Sequence, residues 1–267
     1  MSKDGQPRTH ANRGRRDGRE DKKVRHDRSN PYRQGFREER MAQKENEPSI
    51  PDDIDPSDLD PSVLQDLRVL AKDNADKVAK HMIMSATWMA DDPRLALAHA
   101  RAAKNRAGRV GVVREAAGIA AYHAGEWKEA LSELRAARRM SGGPGLLAVM
   151  ADCERGLGRP DKAIEIGRSQ EAQQLDPESQ VELAIVVAGA RHDLGQHEAA
   201  LATLQQLNPT IDEKKVGDFA HTRLSYAYAD ALAQVGRTDE ARTWFEHVKK
   251  VDSEEMTDVA QRLKEFS

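Results

Sequence analysis

Five times between residues 91 and 241 a turn-forming residue is followed, five positions later, by alanine: Asp91 and Ala96, Gly125 and Ala130, Gly158 and Ala163, Gly195 and Ala200, Gly236 and Ala241. The intervals between the turn residues are 34, 33, 37 and 41. Self-similarity at this length belongs to chains built from stacked units, each too small to bury its own apolar face. From Pro61 onward the apolar residues recur with a helical period, and no run alternates as a strand would. The expected unit is a helical hairpin. One helix ends, glycine takes the left-handed cap without a Cβ penalty, and the next helix starts two or three residues later. Alanine at the fifth position would let the second helix approach the first closely. Asp176–Pro177 and Asn208–Pro209 are expected to end two of the second helices, because proline cannot continue the hydrogen-bond ladder.

The pattern does not reach the N-terminus. Residues 1–48 hold fourteen Lys and Arg against nine Asp and Glu, with almost no aliphatic residue. Such a segment buries too little surface to offset an ordering cost of roughly 1–2 kcal/mol per residue, so disorder is expected. "SIPDDIDPSDLDPS" follows with three prolines and five aspartates, and Asp60 with Pro61 reads as a helix N-cap and first-turn proline. The expected division is a disordered basic tail and acidic linker over 1–59 and a helical domain over 60–267. A helix from Pro61 to about Lys72 would cap one end. "SEEMTDVAQRLKEF", with Met256, Val259, Ala260, Leu263 and Phe266 on one stripe, would cap the other.

These turns and small residues resemble the tetratricopeptide repeat family, whose 34-residue helix-turn-helix units carry Gly at the turn and Ala five residues beyond. The resemblance covers about residues 77–253. In the unit from Gly111, Gly118 stands at the family's small first-helix position, Trp127 at its turn aromatic, and Ala130, Leu134 and Ala137 at second-helix packing positions. Tyr228, Ala229, Leu232, Ala241, Phe245 and Val248 match similarly in the unit from Thr222. Other units depart: Glu154 stands where an aromatic is usual, and Gly167 where a large packing residue is usual. "MADCERGLGRP" and "VVAGARHDLGQ" are further similar to uncharacterised actinobacterial repeat proteins with Arg-rich N-terminal tails. The resemblance implies an all-α fold: a TPR-like α-solenoid, a right-handed superhelix of about five hairpins, preceded by a disordered N-terminal tail.

No catalytic constellation stands out, and no enzyme activity, cofactor or metal is expected. His192 and His197 lie five apart with Asp193 and Glu198 beside them, which is not one helical face, and they read as solvated turn residues. His81, His99, His123, His221 and His247 are dispersed at no metal-ligand spacing. "SGGPG" at 141–145 lacks the Lys and Ser/Thr of a phosphate loop and reads as a turn between units. Cys153, the single cysteine, excludes an intramolecular disulfide and suits a reducing compartment, so a cytoplasmic location is expected. The longest apolar runs, "GLLAVMA" and "LAIVVAGA", are far too short to span a bilayer.

Two surfaces are candidates for binding. The resemblance implies that first-helix positions face a concave groove, among them His81, Trp88, Glu115, Tyr122, Asp152, Arg155, His192, Arg223, Tyr226 and Asp230. Aromatics among a few charges suit a protein or peptide segment, so the expected function is a non-enzymatic interaction scaffold or adaptor. Replacing Tyr122, Arg155 or Tyr226 is then expected to weaken a partner without much loss of stability. The second surface is the tail, where Arg13, Arg15, Arg16, Arg19, Tyr32 and Phe36 interleave guanidinium groups with aromatic rings. That mixture allows RNA contact as an alternative function, although nine carboxylates weaken its field.

Overall fold

The computed structural model describes residues 35, 38–39, 41–42, 46–211 and 216–266. Pro48–Ser267 groups as one compact unit. Among the described residues there are twelve helices and no strand. They are α1 (Pro61–Leu67), α2 (Lys72–Thr87), α3 (Pro93–Ala107), α4 (Gly111–His123), α5 (Trp127–Ser141), α6 (Leu147–Gly156), α7 (Pro160–Gly167), α8 (Pro177–Asp193), α9 (His197–Gln205), α10 (Asp218–Gln234), α11 (Thr238–Val251) and α12 (Val259–Arg262).

Aspartate before proline starts three of the helices, α1, α3 and α8. Asp60 accepts from the Ser62 amide at 2.8 Å, Asp92 from Leu95 at 3.0 Å and Asp176 from Ser179 at 3.0 Å, each with proline in the first turn. Asp176–Pro177 therefore opens α8. It does not end the preceding second helix, since α7 stops at Gly167 and a 3₁₀ turn over Glu171–Gln174 intervenes. Asn208 adopts φ 47° just past α9 and turns the chain before Pro209. The helix expected from Pro61 to Lys72 is also divided. After α1 the chain turns so that Leu70 packs into the N-terminal core while Val69 stays 79% exposed.

Gly125, Gly158, Gly195 and Gly236 all close their turns in one way. Each has φ between 70° and 79°. The amide after each glycine donates to the carbonyl five residues earlier: Glu126 to Ala121, Arg159 to Glu154, Gln196 to Arg191 and Arg237 to Leu232, all at 2.8–2.9 Å. That bond satisfies a carbonyl which the ended helix leaves open. The turn at Asp91 differs. Its residues keep negative φ, and Asp92 closes it as an N-cap.

The alanines do what the spacing predicts, because Ala96, Ala130, Ala163, Ala200 and Ala241 are all 0% exposed. Through them α3 lies against α2, α5 against α4, α7 against α6, α9 against α8 and α11 against α10. Each second helix also packs on the first helix of the next hairpin, and successive first helices α2, α4, α6, α8 and α10 touch in turn. The buried residues form an N-terminal cluster around Val78 and Val113, a central one around Leu134 and Leu147, and a C-terminal one around Leu232 and Phe245.

The C-terminal stripe is only partly realised. Val259 is buried, and Leu263 and Phe266 pack on the C-terminal cluster from a 3₁₀ turn, but Met256 is 40% exposed in a loop. Asp252 makes that loop: its carboxylate accepts from the Met256 and Thr257 amides at 2.9 Å and from the Thr257 hydroxyl at 2.6 Å. These bonds hold the chain out of helix until Val259.

Candidate functional site

The first helices carry a row of polar side chains that join one another across helix boundaries. Tyr122 on α4 donates from its hydroxyl to Asp152 on α6 at 2.7 Å. Arg155, one turn on, donates to Asp152 at 2.9 Å and reaches Asp193 at the end of α8 at 2.8 Å. Glu182 on α8 pairs with Arg223 on α10 at 2.9 Å. Asp230 on α10 takes Arg262 of α12 at 2.6 Å, and the Tyr226 hydroxyl donates to Asp258. Burial, followed by the bonds to Asp152 and Asp258, raises the pKa values of Tyr122 and Tyr226, so both phenols stay protonated.

Eight of the ten positions named from sequence are therefore occupied by contacts within the chain: Tyr122, Asp152, Arg155, Arg223, Tyr226 and Asp230 in this row, and His81 and His192 in imidazole pairs. The expectation that Tyr122, Arg155 or Tyr226 could be removed at little structural cost is corrected. Each supplies a bond between successive first helices, or between α10 and the C-terminal loop. His81 is corrected as well. It is 2% exposed, faces His99 across the α2–α3 hairpin and cannot line an open surface. His192 is half-buried against His197, their Nδ1 atoms 2.9 Å apart, so the two are not solvated turn residues but partners. Trp88 is half-buried at the end of α2. Glu115 lines a separate cleft of about 520 Å³ with Val69, Val112 and Met140, where burial raises the pKa of its carboxyl. The tail residues Arg13, Arg15, Arg16, Arg19, Tyr32 and Phe36 lie outside the described residues.

At the C-terminal end the row leaves apolar surface uncovered. A cleft of about 420 Å³ is lined by Ile185, Phe219, Arg223, Tyr226, Ala227, Met256, Thr257 and Asp258. Phe219 is 55% exposed there, with the Arg223 guanidinium 5.4 Å from its ring centre. The Nε of Arg223 and one oxygen of Glu182 are buried without a hydrogen-bond partner among the described residues. Sequence reasoning found Arg223 and Tyr226 but missed Phe219 and Met256. Phe219 precedes the repeat's first-helix pattern, and Met256 had been placed on the capping stripe.

Burial, with Asp152 and Glu154 adding to it, pushes the Cys153 thiol up to about 12, and the residue is 0% exposed. Among the described residues no three His, Cys, Asp or Glu side chains converge. None of the described helices is long and apolar enough to cross a membrane. No protein-family model matches this chain, and no curated protein matches it in sequence.

Proposed function

We propose that the helical unit is a tetratricopeptide-type solenoid acting as a non-enzymatic interaction scaffold, and that it holds a partner segment in the cleft beside α10. The observation that carries this reading is the contrast along the first helices. Most of the row is closed by its own ion pairs, whereas around Phe219 and Met256 large apolar side chains remain exposed beside Arg223 and Tyr226. Exposed apolar surface rimmed by polar groups is the usual mark of a binding face. A rigid row of paired helices lets a partner dock with little ordering cost on the receptor side. The solenoid reading draws on the neighbour-to-neighbour packing of successive helices.

The partner chemistry that fits is a segment offering a large apolar side chain next to a carboxylate. The apolar group would fill the space between Phe219, Ile185 and Met256, and the carboxylate would meet Arg223. The test compares affinity capture from the native cell by wild type, by Phe219→Ala/Met256→Ala and by the remote surface variant Lys249→Ala. A protein retained by wild type and Lys249→Ala but lost by the cleft variant is the expected result. Equal retention by all three overturns the cleft as the site.

A further inference from the structure

Six of the seven histidines from His81 to His247 stand in pairs, and each pair joins the two helices of one hairpin: His81 with His99, His192 with His197, His221 with His247. The facing nitrogens are 3.0, 2.9 and 3.0 Å apart, and the ring centres 5.3, 5.2 and 5.3 Å. The centres are separated by the nitrogen gap plus nearly the full reach of both rings, so the imidazoles meet head-on. Head-on rings have room for one proton, given by one nitrogen and accepted by the other.

The pair between α2 and α3 is the most deeply enclosed, with His81 2% and His99 0% exposed. The Nε2 of His99 is buried without a hydrogen-bond partner among the described residues. An orphaned lone pair costs less than an orphaned N–H. This assigns the shared proton to His99 Nδ1 and leaves His81 Nδ1 as acceptor. A second proton has no good place. On His81 Nδ1 it sets two N–H groups against each other, and on His99 Nε2 it buries a charged donor facing nothing.

Lys72, Asp73 and Lys77 of α2 and Arg94 of α3 are exposed, Asp76 lines a separate cleft beside α1, and other charged groups on the elements packed around this pair have contacts of their own. On α2, Lys80 acts on Asp55. On α3, Arg101 and Lys104 bind Glu129, and Lys104 also binds Glu133. On α4, Arg114 binds Glu133 while Glu115 lines its own cleft, and Asp58 and Asp66 of the preceding segments are exposed. Among the described residues, after burial, it is His81 that disfavours a proton on His99. At the His192–His197 pair burial and then His197 also lower the pKa of His192, but Asp230 and Asp193 there oppose the shift.

We propose that the His81–His99 contact is an acid-sensitive latch, which holds α2 against α3 near neutrality and releases this hairpin on mild acidification. The α2–α3 hairpin packs on the rest of the unit mainly through α4, so its opening exposes Val78, Met82, Ala96 and Ala100 while the C-terminal cluster, to which it contributes no residue, keeps its packing. His99 supports this: burial, then His81, depresses it from 6.5 to about 4. The folded hairpin therefore holds fewer protons than the open one, and protection is lost as pH falls from 6.5 towards 4.

The test is hydrogen exchange of the full chain between pH 7.5 and 4.5, with rates expressed relative to the unfolded peptide. Protection over residues 72–107 is expected to fall up to ~tenfold per pH unit for each extra proton bound once pH drops below about 6. Residues 218–251, whose own pair is less enclosed, should fall less steeply. In His81→Leu/His99→Leu the acid dependence over 72–107 should disappear. Nitrogen-15 imidazole spectra of the wild type provide a second readout that needs no variant to fold: His99 should stay neutral well below the ordinary range. Ordinary titration of both rings near 6.5, or protection over 72–107 that is flat with pH in the wild type, overturns the latch.

Discussion

Arg155 grips Asp193 with two bonds, from Nε to one carboxylate oxygen at 2.8 Å and from Nη2 to the other at 3.2 Å, and so ties α6 to the end of α8. The guanidinium lies over Gly189, where an added Cβ would stand 2.8 Å from its central carbon. A planar fork over a residue without a side chain is a geometry lysine cannot copy. Both partners are partly solvated, at 28% and 40% side-chain exposure, which keeps the worth of the pair modest. Arg155→Ala is expected to lower stability by about 1–2 kcal/mol, because Asp152 loses a donor as well. Arg155→Lys should recover less than half of that. Urea unfolding of both variants decides it, and an unchanged midpoint for Arg155→Ala would mean that the row is not structural.

The four left-handed turns allow a cleaner test. No atom lies within 4 Å of a Cβ built on Gly195, so a substitution there meets only the backbone conformation at φ 70°. Gly195→Ala should cost about 1–2 kcal/mol and Gly195→Asn clearly less, since asparagine tolerates the left-handed region. Gly158 has the same open surroundings and φ, and should give the same ordering. Asp91→Gly should bring no gain, because that turn keeps negative φ. Thermal unfolding of the five variants checks all of these together.

The turn glycines and buried alanines were legible because both act locally: a left-handed cap and a close helix approach each prescribe a residue type at a fixed offset. First-helix membership was legible for the same reason, and Tyr122, Asp152, Arg155 and Tyr226 do share the expected row. Their engagement with one another was not legible. Whether Tyr122 meets Asp152 or a partner depends on how far one helix slides along the next, and repeat spacing does not report that offset. The histidine pairs were hidden for a related reason, since His81 and His99 are eighteen residues apart and His221 and His247 twenty-six. The C-terminal stripe misled because the apolar period ran on through residues that Asp252 holds out of helix.

Acid should weaken the chain more than its carboxylates alone account for. His99 is 0% exposed and lies at about 4 against an unfolded value near 6.5, so its neutral form stabilises the folded state fully above 6.5. As pH falls towards 4 that contribution is lost, to a total of about 3 kcal/mol at about 1.36 kcal/mol per unit. His81→Leu/His99→Leu lacks this loss. Urea unfolding at pH 7, 5.5 and 4.5 should show wild type and variant diverging steadily, with the carboxylate contribution common to both. Parallel curves would count against a buried neutral pair.

Asp252 tests whether the cleft depends on a residue that no partner would touch. Its side chain is 8% exposed; burial alone would raise its pKa, but the bonds from the Thr257 hydroxyl and the Met256 and Thr257 amides outweigh that and lower it. The carboxylate therefore stabilises the fold above the ordinary aspartate range, and the contribution fades as pH falls through its depressed folded value. Those bonds set the positions of Met256, Thr257 and Asp258, which form one wall of the cleft, and Asp258 in turn receives the Tyr226 hydroxyl. Asp252→Ala should cost about 1–3 kcal/mol and raise exchange over residues 253–258. Thr257→Val, which removes one hydroxyl bond and keeps the amide bonds, should cost about 1 kcal/mol. If the cleft holds the partner, Asp252→Ala should weaken capture nearly as much as Phe219→Ala/Met256→Ala, with Thr257→Val between it and wild type. Full capture by Asp252→Ala, alongside demonstrated loosening of the loop, would place the partner elsewhere on the unit.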